Sequence, residues 1–469
     1  MRMCIIGCGR LGAPYGAGMA EMGHQVLGVD TNPDVIRLLR SGRAPFDEPG
    51  LHEAIACHAR TGNLRFTSSY DEAAEFSDLH ILCVGTPQQA TSLATDLHDL
   101  TRAVRELSGR LRRNAVFVIK SSVPAGTTAR FAAIANSVAP HGSEVSVVCS
   151  PDFLRESTSL EDIRHPSRIV LGLTAKDMHA EELLRKAWAL QLESGVDLLV
   201  TDVTTAELSK MAANAFLAAK ISFINAMAAM CEASGADVTL LSRSLALDPR
   251  IGPYGLDAGA GFGGSCLPKD LRGLLAQAQE LGLSEDLRLL ADVDAINVRR
   301  QRRVVDLTRQ VCGGDLSGKR LGVWGMSFKP GIDDIRDSPA VAVALAIQAE
   351  GAKVTAYDPV ANDTVRAQHP ALGVAHDPFR AAAGADALLH LTAWPLFAKI
   401  TPGQLRRLVS APVMIDGRAT LDPPTWTDAG WTYLALGRAA ETTRFTTSAG
   451  ASVPAARSEI VPRRHRDRC

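Results

Sequence analysis

No charge of one sign dominates this sequence of 469 residues: 50 Lys and Arg stand against 51 Asp and Glu, for a formal net charge of −1. Without a bulk positive field there is no electrostatic case for nucleic acid as the main partner. An acidic small molecule then has to be held by local devices, such as helix N-termini and single Arg or Lys residues. CxxC pairs are also absent, and the nine cysteines are irregularly spaced, which suits a reduced compartment and not a disulfide framework. No long apolar run is free of charge: Ala206 to Ala233 is interrupted by Glu207, Lys210 and Lys220, so it reads as a poor membrane span. The first strand begins at Met3, leaving no room for a signal peptide ahead of it. These absences give the expectation of a soluble, cytoplasmic protein that meets neither membrane nor nucleic acid.

What is present is ordinary globular composition, with 46% hydrophobic and 22% charged residues. At about 150 residues per domain, the length suggests roughly three domains. Met3 to Ile6 is a short apolar strand, followed by Gly7-Cys8-Gly9-Arg10-Leu11-Gly12, a helix to Met22, and the strand Gln25 to Val29 ending at Asp30. Further apolar runs at His80–Val84, Val116–Ile119 and Val145–Cys149 continue an alternation of strand and helix that predicts a parallel sheet covered on both faces. From Thr204 to about Ser234 the pattern becomes one long helix. A second helix begins near Pro268. A third, Glu285 to about Val311, would be roughly 40 Å long and reads as a connecting spine.

The α/β grammar then restarts. Ala20 to Val26 leads to Asp30, and Ala349 to Val354 leads to Asp358, so one unit of helix, glycine, strand and acid occurs twice. Strands at Lys319–Gly325, Val354–Tyr357, Ala387–Thr392 and Val413–Asp416 predict a second mononucleotide-fold domain. The expected division is 1–200, a dinucleotide-binding domain; 201–312, a central helical region; 313–437, the second α/β domain; and 438–469, a disordered tail.

A lone GxGxxG is weak evidence. Here it follows a strand, opens a helix and precedes an acid at the next strand end, which is the context the fingerprint needs. Gly7 allows the turn, Gly9 lets the backbone approach a diphosphate, and Gly12 permits close helix–strand packing. Asp30 is placed to accept from ribose hydroxyls and to repel a 2′-phosphate, so NAD is expected and not NADP. The loop Gly325 to Gly331 lacks this pattern. It suits a nucleotide held by Lys329 and a purely structural turn equally well.

Gly261-Phe262-Gly263-Gly264-Ser265-Cys266-Leu267-Pro268-Lys269-Asp270 carries the most chemistry. Three of its first four residues are glycine, and Pro268 fits a first helical turn. Cys266 therefore stands just before a helix N-terminus, a setting expected to lower its pKa toward a reactive thiolate. Asp270 in the first turn could accept a proton or position a water. Lys210 and Asn214, spaced i,i+4, share one helix face, where Lys can stabilise an oxyanion and Asn can hold a hydroxyl or water. Glu156, in Asp152-Phe153-Leu154-Arg155-Glu156, is a candidate general base.

At this point the chain resembles the UDP-glucose/GDP-mannose dehydrogenase family. The matching pieces are Gly7–Gly12 with Asp30, Val84–Pro87, Lys120–Thr127, Ser150–Glu156, Lys210–Asn214, Arg250–Gly252, the Cys266 loop, Phe328–Pro330 and Asp416–Arg418, in order over residues 1 to about 437. The resemblance implies two Rossmann-like domains joined by a helical region with a long connecting helix. It also implies a four-electron oxidation of a nucleotide sugar at C6 using two NAD, through a cysteine thiohemiacetal and thioester. Cys266 would be the nucleophile, Asp270 and Lys210 would handle proton and oxyanion, and Glu156 with Asn214 the hydrolysis. By position, Gly7, Gly9, Leu11, Gly12, Asp30, Thr86, Ser122, Glu156, Lys269 and Arg336 fall on the NAD side. Asp152, Phe153, Leu154, Arg155, Lys210, Asn214, Arg250, Gly263, Phe328, Lys329 and Arg418 fall on the nucleotide-sugar side, with Arg250 reaching a neighbouring subunit's pocket. Three positions depart from the family pattern: Asp152 stands where Glu is usual, Ser122 where Thr is usual, and Gly255 where Phe is common.

The arginine loop favours UDP-glucose giving UDP-glucuronate, whereas Phe153–Thr158 and Cys266–Asp270 look more like the GDP-mannose enzymes. A two-electron β-hydroxyacid dehydrogenase would also carry Lys-xxx-Asn but has no use for Cys266 or a second nucleotide domain. A non-catalytic dinucleotide sensor would not need Glu156, Lys210, Asn214, Cys266 and Asp270 together. No metal is called for. The long apolar face between 204 and 311 predicts a homodimer or higher homo-oligomer.

Overall fold

The computed structural model describes residues 1–439. Nearly all of the expected disordered tail, 440–469, lies outside the described residues. Two α/β bodies flank a helical centre. The first sheet holds β1 (Arg2–Ile6), β2 (Gln25–Val29), β3 (Leu64–Thr67), β4 (Leu79–Leu82), β5 (Ala115–Ile119), β6 (Val145–Cys149), β7 (Ile169–Leu173) and β8 (Leu198–Asp202). Their spatial order is 3-2-1-4-5-6-7-8, parallel except where β6 meets β7. Strands β1, β2, β4 and β5 are buried almost throughout, as expected of a sheet covered on both faces. β8 ends at Asp202, which carries this body past the expected boundary at residue 200.

The second sheet repeats the plan with β9 (Arg320–Trp324), β10 (Lys353–Tyr357), β11 (Gly373–Val374), β12 (Ala387–His390), β13 (Val413–Asp416) and β14 (Thr432–Ala435), ordered 11-10-9-12-13-14. Both sheets therefore reverse direction beside their first strand, where open α/β sheets bind ligands. One core layer of the second body is built on Trp324, stacked on Phe397 with centroids 5.2 Å apart.

A central helix of 32 residues, Val203–Ser234, joins the two bodies with the thiol helix, Leu267–Glu280, and the connecting helix, Arg288–Val311. Asp202 starts the central helix by accepting from Thr205 N at 2.8 Å, and Gly235 ends it at φ +80°. Met211, Ala215 and Ala218 pack against Leu271, Leu274, Leu290 and Val293. By length and composition this helix is apolar enough to cross a membrane. Five of its polar residues, Glu207, Lys210, Asn214, Ser222 and Asn225, are nevertheless buried: Glu207 accepts from Gly126 N, Thr128 N and Thr128 Oγ1 at 2.5–2.6 Å, capping the helix Thr127–Val138. Past β14 the chain returns to the centre, where Gly437 N donates to Glu232 and Arg438 pairs with Asp237.

The turn after β1 is tight enough to test. A Cβ on Gly12 would lie 1.8 Å from the Gly7 carbonyl oxygen, so only glycine lets the helix Gly12–Glu21 start against the strand. Gly12→Ala is expected to cost about 2 kcal/mol or more, read as an earlier chemical-denaturation midpoint together with weakened NAD binding. An unchanged midpoint would show that the turn relaxes freely.

Candidate active site

A cavity of about 980 Å³ opens beyond the C-terminal ends of β1 and β4, lined by Gly7, Gly9, Leu11, Asp30, Thr86 and Ser122 among others. The residues present fit a dinucleotide. Nothing stands within 4 Å of where a Cβ on Gly9 would be, so a diphosphate can come against the backbone at the start of the helix. Asp30 is held by Cys8 N and Asn32 N, each at 2.9 Å, and its remaining lone pairs serve the cavity it lines. Gly12 lies behind the cavity wall and acts through packing. Thr86 Oγ1 donates to Ser122 O at 2.8 Å, and Ser122 Oγ donates to Asp270 at 3.1 Å. The same cavity is lined by Asp152, Lys210, Cys266, Lys269 and Arg336. Dinucleotide loop and thiol thus share one space.

Cys266 stands immediately before the thiol helix with Pro268 in the first turn, as the sequence predicts. Its side chain is exposed to the cavity. The thiol pKa is nevertheless raised above its ordinary value of 9.0, which corrects the expectation from the helix N-terminus. The protein mass around the cleft floor disfavours the thiolate most, and the Asp270 and Glu156 carboxylates add to this. The Lys210 ammonium pulls the other way.

Asp270 is buried and fully engaged, accepting from Lys269 Nζ at 2.5 Å, Asn214 Nδ2 at 2.6 Å and Ser122 Oγ. It ties the thiol helix to the central helix and to the first domain. The Asn214 side chain, expected to act with Glu156, donates its Nδ2 to Asp270 in this structure. Lys210 is buried with its ammonium 4.0 Å from Asp152 and 5.5 Å from the Phe153 ring centre. The shorter Asp152 also accepts from Leu154 N at 2.9 Å, fixing the turn that leads to Glu156.

Ser265 Oγ bridges Glu156 Oε1, at 3.3 Å, and Cys266 Sγ, at 3.6 Å. Burial, then the nearby Asp334, pushes the Glu156 carboxyl above its ordinary pKa, against Arg10, Arg336 and Lys329. Lys329 Nζ donates to the Glu156 backbone carbonyl, and Arg336 pairs with Asp334, 3.8 Å short of Glu156. The second α/β domain also seats the thiol loop. The end of the Phe328 ring abuts Gly264, where a Cβ would come within 2.6 Å, and Gly263 packs on the Asp337 carbonyl. Arg418 donates to Leu391 O at 2.6 Å and to Gly261 O at 3.0 Å, and burial brings its pKa down to about 10.

Other expected residues lie elsewhere. Arg250 is 87% exposed and paired with Asp248 outside the cleft. Arg155 is turned to Asp162, and Leu154 packs into the core of the first domain. Sequence reasoning missed Arg10, Lys120 and Asn297. Lys120 is buried beside the cavity, 5.0 Å from the Tyr15 ring centre, and burial lowers its pKa. It stood inside a quoted motif, and Arg10 inside the glycine fingerprint. Asn297, whose carboxamide both donates to and accepts from the backbone of Phe262, had no signal at all.

Three models of the UDP-glucose/GDP-mannose dehydrogenase family match the chain: the NAD binding domain over residues 1–189, the central domain over 204–299 and the UDP binding domain over 322–423. The UDP-glucose 6-dehydrogenase of Rhizobium meliloti (strain 1021) is 38% identical over 438 residues, covering 93% of this chain and 100% of that protein. A UDP-glucose dehydrogenase structure from the hyperthermophilic archaeon Pyrobaculum islandicum superposes with a TM-score of 0.86 at 33% identity, covering 93% of this chain and 98% of that one. A GDP-mannose dehydrogenase structure from Pseudomonas aeruginosa gives 0.51 at 25% identity, over 93% and 100%.

Alkylation of Cys266 in the free protein, followed by peptide mass, is expected to rise with pH around a midpoint above 9.0. Lys210→Met should move that midpoint further up, since the ammonium favours the thiolate. A midpoint below the ordinary thiol value would contradict the cleft electrostatics.

Proposed function

The chain belongs to the UDP-glucose/GDP-mannose dehydrogenase family, and on that premise we propose that it oxidises UDP-glucose at C6 to UDP-glucuronate through a thioester on Cys266. NAD-dependent oxidation of a nucleotide sugar is the family's chemistry. The observation that carries the finer reading is the single cavity shared by the dinucleotide loop and Cys266. UDP-glucose is favoured over GDP-mannose by the 38% identity to a UDP-glucose enzyme over 93% of this chain and by the much closer superposition on one.

Bound NAD supplies the hydride acceptor for both oxidations. Loss of a hydride from C6 and a proton from its hydroxyl leaves an aldehyde. Cys266 Sγ bonds to the aldehyde carbon, the thiol proton leaves, and the carbonyl oxygen becomes an alkoxide that Lys210 stabilises before it is protonated. Loss of a second hydride and the hydroxyl proton leaves the thioester, which keeps the intermediate covalently held between oxidations. Water then adds to the acyl carbon while Glu156 takes its proton, the C–S bond breaks, and sulfur leaves to regain a proton. A carboxyl with a raised pKa suits that base. Asp270 holds Asn214, Ser122 and Lys269 around the thiol. A two-electron β-hydroxyacid reaction would leave both the thiol and the second domain without a role.

The assembly we propose is a homodimer through the central helix, where Phe216, Phe223 and Met230 repeat every seven residues and are 68%, 52% and 61% exposed. Arg250, outside its own cleft, would then reach the partner's sugar pocket. The free thiols of Cys4, Cys8, Cys83, Cys149, Cys231, Cys266 and Cys312 support a cytoplasmic location.

With limiting UDP-glucose and excess NAD, two NADH per sugar are expected, against none from GDP-mannose; one per sugar would remove the thioester. Cys266→Ser should form no acid while still binding NAD, and full acid formation in that variant would refute the nucleophile. Phe216→Glu with Phe223→Glu should halve the mass seen by light scattering, and a monomeric wild type would refute the dimer.

A further inference from the structure

Among the cations around Glu156, one keeps a buried N–H group without a hydrogen-bond partner among the described residues. Facing the carboxyl are Asp334, Arg336 and Lys329 from the segment between β9 and the helix Pro339–Ala349, Ser265 and Cys266 from the thiol loop, and Arg10 from the glycine loop. Arg336 spends its fork on Asp334, and Lys329 spends its ammonium on a backbone carbonyl. Arg10 differs. Its Nη2 donates to Asp333 at 2.6 Å and its Nε lies 3.7 Å from Asp334, while its Nη1 is buried with no hydrogen-bond partner. Glu156 Oε2 is also buried without a partner, and it lies 3.9 Å from that Nη1. The Phe46 ring, 4.9 Å from the guanidinium carbon, supports the Arg10 plane.

Two unsatisfied buried groups of opposite charge, one short movement apart, form a pair poised to close, since each alone carries an uncompensated desolvation penalty. We propose that Arg10 is a positioning residue for Glu156: Nη1 closes on Oε2, holding the carboxylate as the base toward the thioester, with Asp333 as its anchor on the second α/β domain. Because Arg10 stands between Gly9 and Leu11, the hydrolytic carboxylate is set from the loop that lines the dinucleotide cavity. This rests on the reading of Glu156 as the hydrolytic base.

The test is the pH dependence of acid release in a single turnover at saturating NAD and UDP-glucose. A base must be ionised, so the rate climbs with pH through its pKa, and removing a neighbouring cation moves that climb upward. Arg10→Gln should shift the acid limb up by about one pH unit, and Arg10→Lys should bring it part of the way back. Asp333→Asn, which releases the guanidinium toward Glu156, should shift the limb down and carries the test if the Arg10 variants do not fold. Glu156→Gln should abolish the limb. A limb unmoved by Arg10→Gln or Asp333→Asn, with Glu156→Gln behaving as expected, overturns the role of Arg10 alone. A wild-type limb in Glu156→Gln overturns the reading of Glu156 and this proposal with it.

Discussion

A loop built of Gly261-Phe262-Gly263-Gly264-Ser265 has few side chains with which to hold itself, so the place of the Cys266 sulfur depends on side chains from other elements. The central contact is the Asn297 carboxamide, which accepts from Phe262 N at 2.8 Å and donates to Phe262 O at 3.0 Å. A Cβ on Gly261 would sit 2.4 Å from Asn297 Oδ1, so the asparagine requires glycine here. Asn225 accepts from Gly259 N, Arg418 donates to Gly261 O, and Ala260 N donates to Gly417 O. Each bond is worth about 1 kcal/mol net, but leaving a buried backbone group without its partner costs about 1–3 kcal/mol. The thiol is thereby fixed relative to two domains at once.

The central helix divides its polar residues by depth. Glu207, Lys210 and Asn214 fall on the face turned to the first domain. There Glu207 caps a neighbouring helix, Lys210 places a charge in the cleft, and Asn214 donates to Asp270. The two groups of the proposed chemistry that must exchange protons, Cys266 and Glu156, are both pushed toward their neutral forms by their surroundings. Cations from three directions oppose that push. The balance lets one site hold a thiol that gives up its proton on bonding and a carboxyl that gains one from water. Among the described residues, the non-glycine positions with positive φ, Ser157, Asp337 and Ala419, each adjoin a residue of the site, so backbone strain collects where geometry matters.

Much of the fold was legible because parallel strands buried on both faces read as unbroken apolar runs, and β6 and β13 fall where the sequence reading put them. The repeated helix, glycine, strand and acid unit pointed to two mononucleotide-fold domains, and the two sheets share one strand order around their first strands. The connecting helix starts at Arg288, three residues later than expected, because a turn and not a helix follows Gly282. Site chemistry was less legible wherever it depended on a third element. An i,i+4 spacing tells which face Asn214 and Lys210 share, but not that Asp270 meets it. A helix N-terminus is local, whereas the cleft walls that raise the Cys266 pKa come from distant segments. The loop at Lys329 gave no decision from its own residues; its contact with the Glu156 carbonyl places it at the site.

The most direct test of the account is the covalent state of Cys266 when hydrolysis is blocked. Glu156→Gln protein mixed with UDP-glucose and NAD, quenched in acid and digested, should yield the Cys266 peptide carrying a UDP-glucuronyl thioester by mass. Acid formed by that variant with the Cys266 peptide unmodified at every time point would contradict it.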